Sequence, residues 1–81
     1  MSDWVHTLSF PAHESAKQAA RELQMLGWMP YAGIQYDGSD SWIVSVYRPV
    51  DVTADLEAAA DRFFEGVAKR NCGVYVGSEL G

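Results

Sequence analysis

Residues 4–10 alternate in character: Trp4, His6, Leu8 and Phe10 fall on one side, Val5, Thr7 and Ser9 on the other. A period of two with β-branched and aromatic residues predicts a strand. Pro11 ends it, because its nitrogen carries no hydrogen for a ladder bond. From about His13 to Leu26 the period becomes helical. Ala16, Ala19, Ala20, Leu23 and Leu26 form one stripe, while Lys17, Gln18, Arg21, Glu22 and Gln24 face away. The small alanines let this helix lie close on a sheet, and Gly27 stands where a left-handed C-cap residue belongs.

Residues 28–36 are interrupted by Pro30 and Gly33, which predicts an edge strand with a bulge. Asp37-Gly38-Ser39-Asp40 supplies a turn, and Trp42 to Arg48 is the clearest strand, closed by Pro49, so the two strands read as a hairpin. Thr53 is placed to cap a second helix, with Asp55 and Glu57 in its first turn and Lys69 and Arg70 at its end, both favourable to the helix dipole. Leu56, Ala59, Ala60, Phe63, Phe64 and Val67 form its apolar stripe, and Asn71 or Gly73 stops it. Val74-Tyr75-Val76 is a short last strand before a tail from Gly77 to Gly81. The order β-α-β-β-α-β with right-handed crossovers predicts an α+β fold, the ferredoxin-like plait: a four-stranded antiparallel sheet with two helices on one face. The expected core is Leu8, Phe10, Leu23, Leu26, Val44, Val46, Leu56, Phe63 and Val67.

With 81 residues the chain makes a single domain, 1–81, and buries only about two-thirds of its unfolded surface. Cys72 is the only cysteine, so no internal disulfide can add stability. A lone thiol fits a reducing compartment, where a buried cysteine behaves as a small hydrophobe. Stability must then come from a core drawn from 48% apolar residues, or from a homodimer. Met1-Ser2-Asp3 leads into neither a basic nor a long apolar segment, so no signal peptide and no membrane span are expected, and the cytoplasm is the default.

Six basic residues against eleven acidic ones give a net charge of −5. Nucleic-acid affinity comes largely from Lys and Arg releasing counterions, so this charge disfavours RNA and DNA and favours a basic protein surface. The Trp42–Tyr47 strand also lacks the basic-Gly-aromatic pattern of RNA-recognition domains of the same topology. Metal sites bring their ligands in close pairs, whereas His6, His13 and Cys72 are scattered. His6 reads as a strand residue with a hydrogen-bond partner. No Gly-x-Ser-x-Gly elbow occurs, Cys72 follows a helix C-terminus where a thiolate is disfavoured, and Pro11-Ala12-His13-Glu14-Ser15 has no glycine to cradle a phosphate. No catalytic set, metal or cofactor is therefore expected. If Trp42, Val44 and Val46 face the helices, Ile43, Tyr47 and Tyr75 fall on the uncovered side of the sheet. That arrangement suits a protein interface, and equally ordinary cross-strand pairing.

Several of these features occur together in one known family. A strand ending in Phe10, the run Ala19-Ala20-x-x-Leu23-x-x-x-Gly27, a Trp-led third strand and the closing Cys72-Gly73-Val74-Tyr75-Val76-Gly77-Ser78-Glu79 resemble the regulator of ribonuclease activity B family, from about Phe10 to Glu79. Gly73, Tyr75, Gly77 and Glu79 fit that family's closing Gly-x-Tyr-Asp-Gly-Trp-Glu segment, whereas Val76 stands for its Asp and Ser78 for its Trp. The acidic extensions of members that inhibit ribonuclease E have no counterpart in this sequence. The resemblance implies a non-enzymatic domain that binds, and inhibits or regulates, a protein partner such as a ribonuclease. It adds Gly77 and Glu79 to Ile43, Tyr47 and Tyr75 as expected protein-binding residues. The alternative is a small-molecule-binding or minor enzymatic plait acting as a homodimer.

Overall fold

The computed structural model describes residues 2–80 and has two helices against one antiparallel sheet. The elements are β1 (Ser2–Phe10), α1 (His13–Met25), β2 (Met29–Pro30), β3 (Gln35–Tyr36), β4 (Trp42–Val50), α2 (Ala54–Arg70) and β5 (Val74–Leu80). The sheet runs β2-β4-β1-β5, with β3 also on β4. It therefore has five strands rather than the four expected, because the interrupted segment splits. Only Met29–Pro30 and Gln35–Tyr36 pair with β4, and the stretch between them, holding Gly33, leaves the ladder.

Three strands run further than the sequence suggests. β1 begins at Ser2, β4 continues through Pro49 to Val50, and β5 reaches Leu80 instead of ending in a tail. Pro49 is tolerated because β2 ends opposite Tyr47, which leaves β4 one open side for the missing N–H. The long β1–β4 register, from Ser2↔Val50 to Phe10↔Trp42, fixes which side chains share a face.

Trp4, His6, Leu8 and Phe10 all point under the helices and are buried, as their alternation predicts. One cluster joins them to Val44 and Val46, to Ala16, Ala19 and Leu23 of α1, and to Ala60, Phe64, Val67 and Ala68 of α2. Both helices thus lie on the same side of the sheet. Thr53 caps α2 by accepting from the Leu56 amide at 3.2 Å, and Gly27 adopts φ +95° after α1. Arg70 and Asn71 of the α2 end both reach the Glu22 carboxylate of α1 and tie the helices together.

Three core expectations need correction. Leu26 is 52% exposed and Leu56 39%, while Phe63 is half-buried. Leu26 is the C-cap residue, past the last residue of α1, and Leu56 lies in the first turn of α2, ahead of Ala60 where burial begins. The space between these two leucines is an open cleft. Cys72 is also exposed rather than buried. It takes the left-handed position after α2 (φ +62°), and the following Gly73 lies so close beneath the Phe10 ring that a Cβ there would collide with it and with the Ser9 carbonyl.

Candidate binding face

The side of the sheet opposite the helices is uncovered, and the strand registers lay out its rows. Val74, Ser9, Ile43 and Gln35 form one row, and Gly77, Thr7 and Ser45 the next. Glu79, Val5, Tyr47 and Met29 form a third. Val5 is only 5% exposed on this uncovered face, because its row neighbours Tyr47 and Glu79 flank it. Tyr31 meets Tyr47 edge-on at 5.9 Å and is held there by its amide, which donates to the Ser45 carbonyl at 2.9 Å. The result is two apolar flanks, around Val74, Val76 and Ile43 with Ser9 among them and around Tyr47, Tyr31 and Met29, separated by the row that carries the Thr7 and Ser45 hydroxyls.

Four of the five expected binding residues, Ile43, Tyr47, Gly77 and Glu79, lie on this face or at its edge. Tyr75 does not. Its register with Leu8 turns it under the helices, where it stacks on Phe64 at 5.6 Å. The alternation within Val74-Tyr75-Val76 correctly opposes Tyr75 to the valines, but the valines are the outward pair, 66% and 62% exposed. They and Tyr31 are face residues that the sequence reasoning missed. A strand of alternating valine and tyrosine is apolar on both faces, so only its register against β1 assigns the sides.

Between Thr7 and Leu8 the β1–β5 register slips by one residue, a bulge that accommodates Gly77. A depression of about 230 Å³ opens there, lined by Thr7, Val76, Gly77, Ser78 and Glu79. β5 is also an edge strand: among the described residues it pairs with β1 alone. Edges are normally blunted by charged side chains, proline, bulges or short length, and of these β5 carries one bulge and Glu79. Val74–Leu80 has seven residues with neither lysine nor proline, whereas the opposite edge is cut into two-residue pieces and carries Pro30.

Charge is divided between the two sides of the molecule. Asp3 and Glu79 are the charged residues of the uncovered face, by their registers with Pro49 and Val5. All six basic residues lie elsewhere: Lys17 and Arg21 on α1, Arg62, Lys69 and Arg70 on α2, and Arg48 turned to the helix side. The uncovered face is therefore apolar and hydroxylic with an acidic margin.

Beneath the helices, His6 has the hydrogen-bond partner expected of it. Its Nδ1 lies 2.8 Å from the Tyr75 hydroxyl, which in turn lies 3.4 Å from Asp61 Oδ1 on α2. The hydroxyl donates to the carboxylate and accepts from Nδ1–H, so the tautomer carries its proton on Nδ1. The buried Nε2 then has no partner, as a lone pair rather than the costlier orphaned N–H. The imidazole stacks on Phe64 at 4.0 Å and meets Trp4 at 4.3 Å and Trp28 at 5.1 Å. Burial among these rings lowers its pKa to about 4, against a smaller opposing pull from Asp61. Burial likewise raises the Tyr75 phenol above 10.0, so it stays protonated as a donor. His6 is buried while Tyr75 and Asp61 are half-buried, and the three groups link β1, β5 and α2. No group of three or more His, Cys, Asp or Glu side chains converges as a metal site among the described residues. No described helix is long and apolar enough to cross a membrane.

Comparison with known proteins finds no matching family model and no matching curated protein.

Proposed function

We propose that the chain is a non-catalytic, cytoplasmic protein-binding domain that receives a basic partner on its uncovered sheet face. The supporting observation is the makeup of that face: exposed Val74 and Val76, half-buried Tyr47 and Ile43, and a margin whose charges are Asp3 and Glu79. Apolar and aromatic centres with polar rims are what protein interfaces use. The bare β5 edge adds main-chain donors and acceptors for an extended partner segment. Taken as one interrupted strand, β2 and β3 give the order β5-β1-β4-β2/β3, which supports a ferredoxin-like plait of βαββαβ type. The resemblance to the regulator of ribonuclease activity B family supports inhibition or regulation of a ribonuclease or other enzyme as the outcome of binding. A homodimer through β5 is a second reading, favoured by that same open edge, which carries neither lysine nor proline.

The test places a photo-cross-linking residue at Val76 on the face and, separately, at Arg62 on α2. Cross-links to a partner from position 76 and not from 62 are expected. Tyr47→Ala should weaken the purified complex about 30-fold, the equivalent of ~2 kcal/mol for a central tyrosine, with the circular dichroism spectrum unchanged. Cross-links from position 62 alone would place the interface on the helices and overturn the proposal.

A further inference from the structure

The cleft between the C-terminal end of α1 and the first turns of α2 lies on the opposite side of the molecule from the proposed protein interface. Its volume is about 420 Å³, and its walls include Trp4, Trp28, Leu26, Leu56 and Phe63. Clefts of several hundred Å³ with mostly apolar walls and few placed polar groups are how proteins hold small molecules. Arg48 is the single charged residue of the lining. Its guanidinium lies 4.4 Å from the Trp28 ring centre, and its Nη2 donates to the Leu26 carbonyl at 2.9 Å. No carboxylate pairs with Arg48 among the described residues, where the ion pairs are Lys17–Glu14 and Arg70–Glu22.

A guanidinium carries five N–H donors in a planar fork that matches a carboxylate. The Trp28 stacking and the Leu26 bond hold this one in place and leave most of its donors unused. The rim is apolar and unfilled, with Leu26 and Leu56 both exposed. At net charge −5 the chain repels anions in general, so an anion gains a foothold here only when an apolar body accompanies it.

We infer that this cleft binds a small amphipathic carboxylate, its apolar body between the two indoles and α2 and its carboxylate on Arg48. Acyl and aryl carboxylates share this chemistry, and the test separates them.

The full chain is titrated with decanoate, 1-naphthylacetate, decanol, decylammonium and inorganic phosphate, each in its monomeric range, by calorimetry and by tryptophan fluorescence. Decanoate or naphthylacetate should bind with about millimolar affinity or better, decanol several-fold more weakly, and decylammonium and phosphate not at all. Whichever carboxylate is tighter identifies the source. If it is the acyl one, each methylene between octanoate and decanoate should tighten binding roughly fourfold. Arg48→Met, which keeps the apolar stem, should bring the carboxylate down to the affinity of the alcohol, and Arg48→Lys should fall between. Ala59→Phe, at an exposed lining position, should abolish binding with the fold intact. Equal binding of decanol and decanoate, binding of decylammonium, no saturable response to either carboxylate, or full binding by Ala59→Phe would each overturn the inference. Loss of a protein partner with Ala59→Phe, in a chain that binds neither carboxylate, would instead make the cleft a socket for a partner's side chain.

Discussion

His6 makes the stability of this domain depend on pH in a way that one substitution removes. Its imidazole is fully buried, is stacked on Phe64, and has one ring nitrogen without a partner. In the unfolded chain it takes up a proton near 6.5; in the folded chain burial delays that to about 4. Between those values the unfolded state binds more protons, so stability is full above the unfolded pKa and is lost as the pH falls toward the folded one. At about 1.4 kcal/mol per pH unit, the interval from 6.5 to about 4 amounts to roughly 3 kcal/mol. For a domain of this size that is roughly 12–24 °C in melting temperature. His6→Leu keeps a similar volume and removes the titrating group. Urea and thermal unfolding of both proteins, from about pH 7.5 down to 4.5, should show two curves offset by a constant well above pH 6.5, with the wild type losing stability relative to the variant below it. The carboxylates titrate in both proteins and drop out of the difference. Parallel curves over the whole range would refute the reasoning, since they would mean that His6 is charged in the folded state or is solvated there.

Gly73→Ala should destabilise the domain by about 2 kcal/mol or more, read as a shift in the urea midpoint, because the new methyl meets the Phe10 ring and the Ser9 carbonyl. Tyr75→Phe should cost about 1–3 kcal/mol by leaving His6 Nδ1 and Asp61 without the shared hydroxyl, whereas Tyr47→Ala on the uncovered face should leave the melting temperature nearly unchanged. Equal losses from the two tyrosine variants would contradict the face assignment. Single-stranded RNA should show no micromolar binding in fluorescence anisotropy at physiological salt, because the uncovered face presents no lysine or arginine to a phosphate chain.

The elements with a strong period were legible in the sequence. Trp4 to Phe10 alternates without a break and is buried on the side its pattern names; Thr53 caps α2, and Gly27 takes the left-handed turn after α1. The errors cluster where local chemistry and tertiary pairing compete. Pro49 looked like a strand terminator, yet β4 runs past it because β1 continues alongside to Ser2. Residues 28–36 hold one strand's worth of pairing in two pieces, because Pro30 and Gly33 break the ladder without preventing β4 from holding both ends. Cys72 occupies the left-handed position that a glycine would ordinarily take, while Gly73 is reserved for the close approach of Phe10.

The uncovered face was half legible for a related reason. A side chain's face follows from alternation once any one residue of the strand is anchored. Trp42, Val44 and Val46 anchored β4, so Ile43 and Tyr47 came out correctly. β5 offered no anchor of that kind, since valines suit either side and tyrosine suits a core or an interface. What anchors it is His6: a buried imidazole on β1 needs a polar partner beneath the helices, and on β5 the Tyr75 hydroxyl meets that need at 2.8 Å. The cleft was invisible for a different reason. Leu26 and Leu56 belong to the apolar stripes of their helices by spacing, and nothing in either stripe reveals that both line one unfilled cleft together with Arg48. An arginine at the end of an otherwise apolar strand was the available signal. A charge placed at the end of Trp-Ile-Val-Ser-Val-Tyr-Arg must reach water, a carboxylate or a backbone carbonyl, and the Leu26 carbonyl takes only one of its five donors.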